Sequence, residues 1–218
     1  MIIFFSFLSI WFDWFNNFNC FLLFVIVFFV FFVFFFLFFF NFFFNLNLGF
    51  GLLEFWMCFI PIFFLISQII PSIFLLFFFN FSNTSSDLTI KVVGHQWYWS
   101  YEIGDNLGFF FDSFMLSDEF FVLGDYRLLE VDNRLILPVN FFVRFVLTSF
   151  DVIHSWTLPM FFLKMDVMSG LLNIMDFFFE SVGVFYGQCS EICGANHSFM
   201  PVVIELTLMN FFKSFFIF

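Results

Sequence analysis

Two thiols, two imidazoles and a thioether set the chemistry of this chain. Cys189, Cys193, His197 and Met200 fall within Gly187-Gln188-Cys189-Ser190-Glu191-Ile192-Cys193-Gly194-Ala195-Asn196-His197-Ser198-Phe199-Met200. His154 lies upstream in Asp151-Val152-Ile153-His154-Ser155-Trp156. Thiolate and thioether are soft donors that favour copper, and imidazole suits it too. One Cys with two His and a Met would suggest a single blue-copper ion. The second Cys changes the stoichiometry, because two thiolates can bridge two ions. Zinc, a disulfide and inert buried thiols are the plainer readings. Zinc closes its tetrahedron with imidazole and thiolate and has no need of Met200. A disulfide leaves His197 and Met200 unexplained.

Other residues suggest chemistry less directly. Read as an extended strand, His95 to Tyr101 puts Trp97, Trp99 and Tyr101 on one face and Gln96, Tyr98 and Ser100 on the other. Such a run is usually core. Glu54 is the only ionisable residue in or near the second apolar run. An acid within a membrane is a functional candidate, whereas at the surface it would stabilise a helix N-terminus. Acidic residues outnumber basic ones, for a net charge of -11. An acidic domain suits a basic protein partner and gives no support for nucleic-acid binding.

These residues need elements to position them, and the composition divides the chain in two. Residues 1–90 hold no Lys or Arg, and only Asp13, Glu54 and Asp87 as acids. Residues 21–40 and 52–79 are apolar runs long enough to span a bilayer, the second lightly broken by Pro61, Ser67, Gln68 and Pro71. An Asn- and Gly-rich loop over 41–51 joins them, and 80–87 is a polar hinge. Two spans make a hairpin, so both ends lie on one side. With no basic residues, charge bias cannot orient it. The N-terminus lacks the basic region and cleavage site of a secretory leader. The 53 Phe residues are aperiodic and fill apolar positions almost indiscriminately, a composition that points to a T-rich, organelle-encoded gene. Cys20 and Cys58 sit in these runs as small hydrophobes.

From residue 88 the pattern becomes short strand-like runs, predicted at 88–93, 95–102, 127–131, 141–148, 152–158, 183–186 and 202–207. Such spacing argues for a sandwich or barrel. A short amphipathic helix is predicted over 208–218. The expected divisions are 1–87 for the N-terminal segment and hairpin, 88–207 for the metal-binding domain and 208–218 for the tail.

The Cys-x-Glu-x-Cys-x3-His-x2-Met pattern resembles the binuclear copper (CuA) loop of cytochrome c oxidase subunit II. Gly94-His95-Gln96-Trp97-Tyr98-Trp99-Ser100-Tyr101-Glu102 and Arg127-Leu128-Leu129-Glu130-Val131-Asp132-Asn133-Arg134 match the same family. The resemblance runs from about Glu54 to the C-terminus, and Asp13-Trp14-Phe15, Asn19-Cys20 and residues 182–186 look most like nematode versions. It implies a two-helix transmembrane hairpin followed by an all-β cupredoxin-like Greek-key sandwich. It also implies that both sulfurs bridge two coppers, with His154 and Met200 completing one ion and His197 and the Glu191 carbonyl the other. The Glu191 side chain would bind magnesium shared with subunit I, with Asp166 near that site. Trp97 would take the electron from cytochrome c, docked on Glu102, Asp112, Asp132 and Asp151. Glu54 would open a proton path into subunit I.

The implied activity is that of a cytochrome c oxidase subunit passing electrons to haem a for oxygen reduction, coupled to proton pumping. The implied setting is the mitochondrial inner membrane among the other complex IV subunits and lipid, with the C-terminal domain in the intermembrane space. Two positions depart from the family pattern: Phe150 stands where many relatives carry a second acid, and Leu171 replaces a frequent Arg. The rival readings are a membrane-anchored copper chaperone, which would alternate helices with strands, a quinol-oxidase-like subunit without copper, and a one-copper carrier.

Overall fold

Helix α1 covers Phe7–Phe40 and α2 covers Gly51–Phe79. The computed structural model describes residues 7–40, 51–79, 85–104 and 108–216. The predicted 41–51 loop (Gly51 aside) and most of the 80–87 hinge lie outside these. The chain divides into two compact units, one helical and one rich in β-structure. Both helices are long and apolar enough to cross a membrane. At about 1.5 Å per residue, even the shorter apolar stretch, 25 residues from Glu54 to Phe78, exceeds the ~30 Å hydrocarbon thickness. Their aromatic side chains stack one turn apart, as in Phe34–Phe38 and Phe55–Phe59. α1 starts well before the predicted apolar run and carries the polar patch within it. There Asn17 donates to the Asp13 carboxylate at 2.8 Å, four residues back. Pro61 and Pro71 lie inside α2 without ending it.

The second unit is all-β apart from a short terminal helix. Its strands are β1 Leu88–His95, β2 Tyr98–Ile103, β3 Phe109–Ser113, β4 Leu135–Pro138, β5 Phe142–Ser149, β6 His154–Leu158, β7 Leu163–Val167, β8 Asn173–Phe178, β9 Gly183–Gln188 and β10 Pro201–Thr207. They form a five-stranded sheet ordered β3-β2-β1-β5-β8, a three-stranded sheet β4-β10-β9 and the ribbon β6-β7. Parallel pairings of β1 with β5 and β4 with β10 require crossovers between the sheets. β5 alternates buried and half-exposed residues, the signature of a sheet with one covered face. β6 is buried at all its positions. The core centres on Trp99, Tyr101, Phe145, Trp156, Phe161 and Phe179, each fully buried. Each such side chain contributes roughly 1.5–3 kcal/mol. Trp156 spends its one polar atom on Tyr101, its indole N–H donating to the phenol oxygen at 3.3 Å. A bidentate Arg144–Asp176 pair, at 2.8 and 2.9 Å, pins β5 to β8. Helix α3, Met209–Phe216, buries Phe212, as the predicted tail helix requires.

Several strand predictions change. The 95–102 run is two strands joined by a turn at Gln96–Trp97, so Trp97 leaves the strand face that Trp99 and Tyr101 share. The 127–131 run is a turn with one isolated bridge, Met115 to Val131. Leu128 sits at φ 68, which no strand allows. The turn delivers Glu130 inward, where its carboxylate accepts from Tyr186 at 2.7 Å and from Arg134 at 3.1 Å. Burial and that carboxylate push the Tyr186 phenol up to about 12. Strands β3, β4, β7 and β8 were not predicted: Phe on both faces erases the alternation in β3 and β8, while β4 is a four-residue run ending in Pro138 and β7 carries Lys164 and Asp166.

Gly187 on β9 passes so close to β6 that a Cβ there would collide with the Thr157 carbonyl oxygen. We expect Gly187→Ala to cost about 1–3 kcal/mol or more, read as a lowered melting temperature of the full chain in detergent.

Candidate metal centre

The donors arrive from two directions. His154 is the first residue of β6, and the loop after β9 carries Cys189 and Cys193 into the turn His197–Phe199 that leads to β10. Backbone bonds hold this loop to its neighbours: Ser190 N–H donates to the Ser155 carbonyl at 3.0 Å, and the Thr157 hydroxyl donates to the Ser190 hydroxyl oxygen at 2.8 Å. Cys189 and Cys193 are buried, and their sulfurs lie 4.0 Å apart. A disulfide needs about 2.05 Å, so these are free thiols. Two sulfurs each about 2.3 Å from one ion can lie up to about 4.6 Å apart, so the spacing suits shared ligation.

All six predicted donors converge on this pair. Cys189 Sγ lies 3.9 Å from His154 Nδ1 and 3.4 Å from the Glu191 carbonyl oxygen. Cys193 Sγ lies 3.5 Å from His197 Nδ1 and 3.5 Å from Met200 Sδ. By sulfur the donors group as His154 with the Glu191 carbonyl and His197 with Met200, which differs from the grouping by ion that the resemblance implies, His154 with Met200 and His197 with the Glu191 carbonyl. Among the described residues, the ligand atoms of His154, Cys189 and Cys193 all lie within 4.8 Å of one another. His154 and Met200 are fully buried, His197 is half-buried, and the Glu191 side chain is exposed. An inert thiol pair would not need this company. The donor set fits copper.

Electrostatics prepare the pair. Burial raises the Cys189 thiol, but His154 and the backbone around it outweigh that and bring it to about 7. Burial, and then the Cys189 charge, push Cys193 up to about 12. His154 Nε2 lies 2.9 Å from Asp151 Oδ1. A carboxylate only accepts, so Nε2 carries a proton and Nδ1 is the nitrogen turned to the sulfur. Burial opposes the His154 cation, yet Cys189 and Asp151 hold the imidazole above its usual range.

Asp151 is expected on a docking surface; what the structure shows is internal work. Its carboxylate also accepts from Gln96 N–H and Val152 N–H, each at 2.7 Å. The Asp-x-x-His spacing was the available signal. Sequence reasoning also missed Gln96, whose side-chain amide donates to the Cys193 carbonyl at 2.6 Å. Gly94 was missed too. A Cβ there would lie 2.9 Å from the His154 ring. His95, beside it in sequence, is no donor here. Burial lowers its imidazole below the usual range, against Asp151 and Asp112.

Trp97 is half-buried in the β1–β2 turn. A Cβ on Gly194, at φ +128, would lie 3.0 Å from its ring, so the indole rests directly on the metal loop. Of the remaining acids, Glu102 pairs with Lys91 at 3.2 Å, and Asp112 accepts from Ser100 Oγ at 2.6 Å. Asp132 is exposed and accepts from Phe114 N–H at 2.8 Å. Asp166 is exposed on β7, opposite Ser155. Glu54 is exposed in the first turn of α2, in the other unit.

The family model described as cytochrome c oxidase subunit II, periplasmic domain, matches residues 88–207. Among curated relatives, cytochrome c oxidase subunit 2 of Ascaris suum is 56% identical over 154 residues, covering 71% of this chain and 66% of that one. The Caenorhabditis elegans protein of the same name is 54% identical, over 71% of this chain and 67% of its own. The chain thus spans about two thirds of the length of these relatives. The solved periplasmic domain of subunit II of cytochrome oxidase from Bradyrhizobium japonicum superposes with a TM-score of 0.56 at 46% identity, covering 60% of this chain and 91% of that domain.

Two outcomes follow from the geometry. Asp151→Asn removes the charge that orients His154 and should weaken metal affinity about 10–100-fold in competition with a chelator. Metal must displace the thiol protons. At pH 7 about half a proton leaves Cys189 and one leaves Cys193, so loading should release at least about one and a half. The release should decline towards about one as pH rises past the Cys189 transition, measured calorimetrically in buffers of different ionisation enthalpy.

Proposed function

This chain belongs to the cytochrome c oxidase subunit II family, and from that membership we propose that it is the electron-accepting subunit of a respiratory oxidase. The observation that carries the reading is the convergence of His154, Cys189, the Glu191 carbonyl, Cys193, His197 and Met200 about one thiol pair. Both thiolates would bridge two coppers, His154 and Met200 completing one ion and His197 with the Glu191 carbonyl the other. A bound thiolate-bridged pair supplies a one-electron redox centre whose charge is spread over two metals. The protein keeps the donors from moving: His154 is locked by Asp151, and the cysteine loop is clasped to β6. Fixed ligands keep reorganisation small when an electron arrives or leaves.

The surface near the centre supports the input side. Trp97 rests against Gly194 of the metal loop and offers a half-exposed indole to a haem edge. Cytochrome c is the proposed donor, a basic protein steered by Glu102, Asp112, Asp132 and Asp151 at rates that fall with salt. The electron would pass on to haem a of subunit I, where oxygen is reduced and protons are pumped. The exposed Glu191 carboxylate would bind magnesium shared with subunit I, since carboxylate oxygen suits that ion. Glu54 would open a proton path into that subunit. The two apolar helices would anchor the chain in the mitochondrial inner membrane, with residues 88–218 in the intermembrane space. A copper chaperone with helices between its strands is disfavoured by the all-β order of β1 to β10.

Copper-loaded full chain, oxidised in detergent, is expected to hold two coppers and to show a seven-line hyperfine pattern from one electron shared by two nuclei. One copper per chain with a four-line pattern would overturn the binuclear reading.

A further inference from the structure

Beside the metal loop lies an aromatic strip that copper ligation does not use. Phe150 stacks on His95, centroids 5.4 Å apart at 29°. His95 stacks on Tyr98 at 4.5 Å and 4°, and Tyr98 on Phe114 at 4.4 Å and 23°. The ends of this four-ring stack face outward: Phe150 is 77% exposed and Phe114 45%. One end is tied to the metal centre. Phe150 N–H donates to the Gly94 carbonyl at 3.0 Å, Gly94 underlies the His154 ring, and the next residue, Asp151, holds His154. Ile192, in the metal loop itself, is also exposed. Asp112, Asp132 and Asp151 attach to the same segments.

We infer that Phe150, backed by the His95–Tyr98–Phe114 stack, is an apolar anchor for the electron donor and a specificity-determining contact of this chain. The inference rests on the electron-transfer reading above. An apolar centre within a polar rim is the anatomy of a protein interface, and buried aromatics dominate such interfaces. The occupant follows from charge. A second copy of this chain, with net charge -11, would bring acids against acids, and an anionic lipid surface would do the same. A basic haem protein with an apolar haem edge complements both the rim and the strip. The two parts divide the work: acids govern encounter and are screened by salt, whereas the stacked rings govern how long the donor stays and are not.

The test is steady-state oxidation of reduced cytochrome c by the assembled oxidase across ionic strengths. Phe150→Ala should raise KM about tenfold, the loss of one interface anchor, with kcat and the copper spectrum unchanged. The ratio should persist at high salt, and Phe150→Tyr should restore most of the affinity. Phe114→Ala, at the far end of the stack, should raise KM about two- to fivefold. It carries the test if Phe150→Ala disturbs the metal loop. Leu123→Ala, at an exposed turn residue outside the stack, should change nothing. A KM within twofold of the parent for both Phe150→Ala and Phe114→Ala at every ionic strength, with copper intact, overturns the inference and leaves the parent reading standing. An unaltered oxidase that holds its coppers yet takes no electrons from cytochrome c overturns the parent reading, and this inference with it.

Discussion

Burying two thiols, an imidazole and a thioether side by side repays nothing unless something satisfies their polar atoms and fixes their spacing. In this chain that requirement organises the β-unit. The cysteine loop lies against β6 through the Ser190–Ser155 and Thr157–Ser190 hydrogen bonds. From the other side, Gln96 reaches the Cys193 carbonyl. Gly94 and Gly187 clear the space in which β1 and β9 can approach β6 so closely. The fully buried β6 follows from the same need, because a ligand strand that moved would carry His154 with it.

The two halves of the chain put the same residue to different use. In α1 and α2, Phe faces outward almost everywhere, and lipid asks of it only that it be apolar. In the β-unit, Phe145, Phe161 and Phe179 are fully buried and meet at defined angles, Phe161 against Phe179 at 5.0 Å and 83°. There each ring fills one space, so position matters where composition cannot show it.

This difference decides what was legible in the sequence. The metal donors were readable because their types are rare and their spacing is local. The helices were readable because length and hydropathy suffice. The strands were harder, since alternation is the usual mark and Phe occupies both faces of β3 and β8. The Leu-rich 127–131 run looked extended, yet its task is to turn Glu130 inward to Tyr186 and Arg134, partners distant in sequence. Trp97 was singled out, but its place in a turn against Gly194 depends on a loop nearly a hundred residues away, as the hydrogen bond from Gln96 to Cys193, 97 residues on, shows. The bond from Gln96 N–H to Asp151 was hidden for the same reason, although the Asp-x-x-His spacing signalled its contact with His154.

The position of Asp151 beside Phe150 has an evolutionary consequence. Phe150 and Asp151 are neighbours, yet they differ in latitude. Phe150 shows most of its ring to solvent, and its backbone N–H donates to the Gly94 carbonyl of β1, a bond that any residue there except proline can supply. Under the proposed anchoring role, drift at that position would retune partner choice without touching the metal donors. Asp151 ties the β1–β2 turn to a metal ligand through one carboxylate. A lineage that changed it would loosen that turn and that ligand together, so under the proposed docking role a shift in partner preference would have an open route through one residue and a closed one through the next.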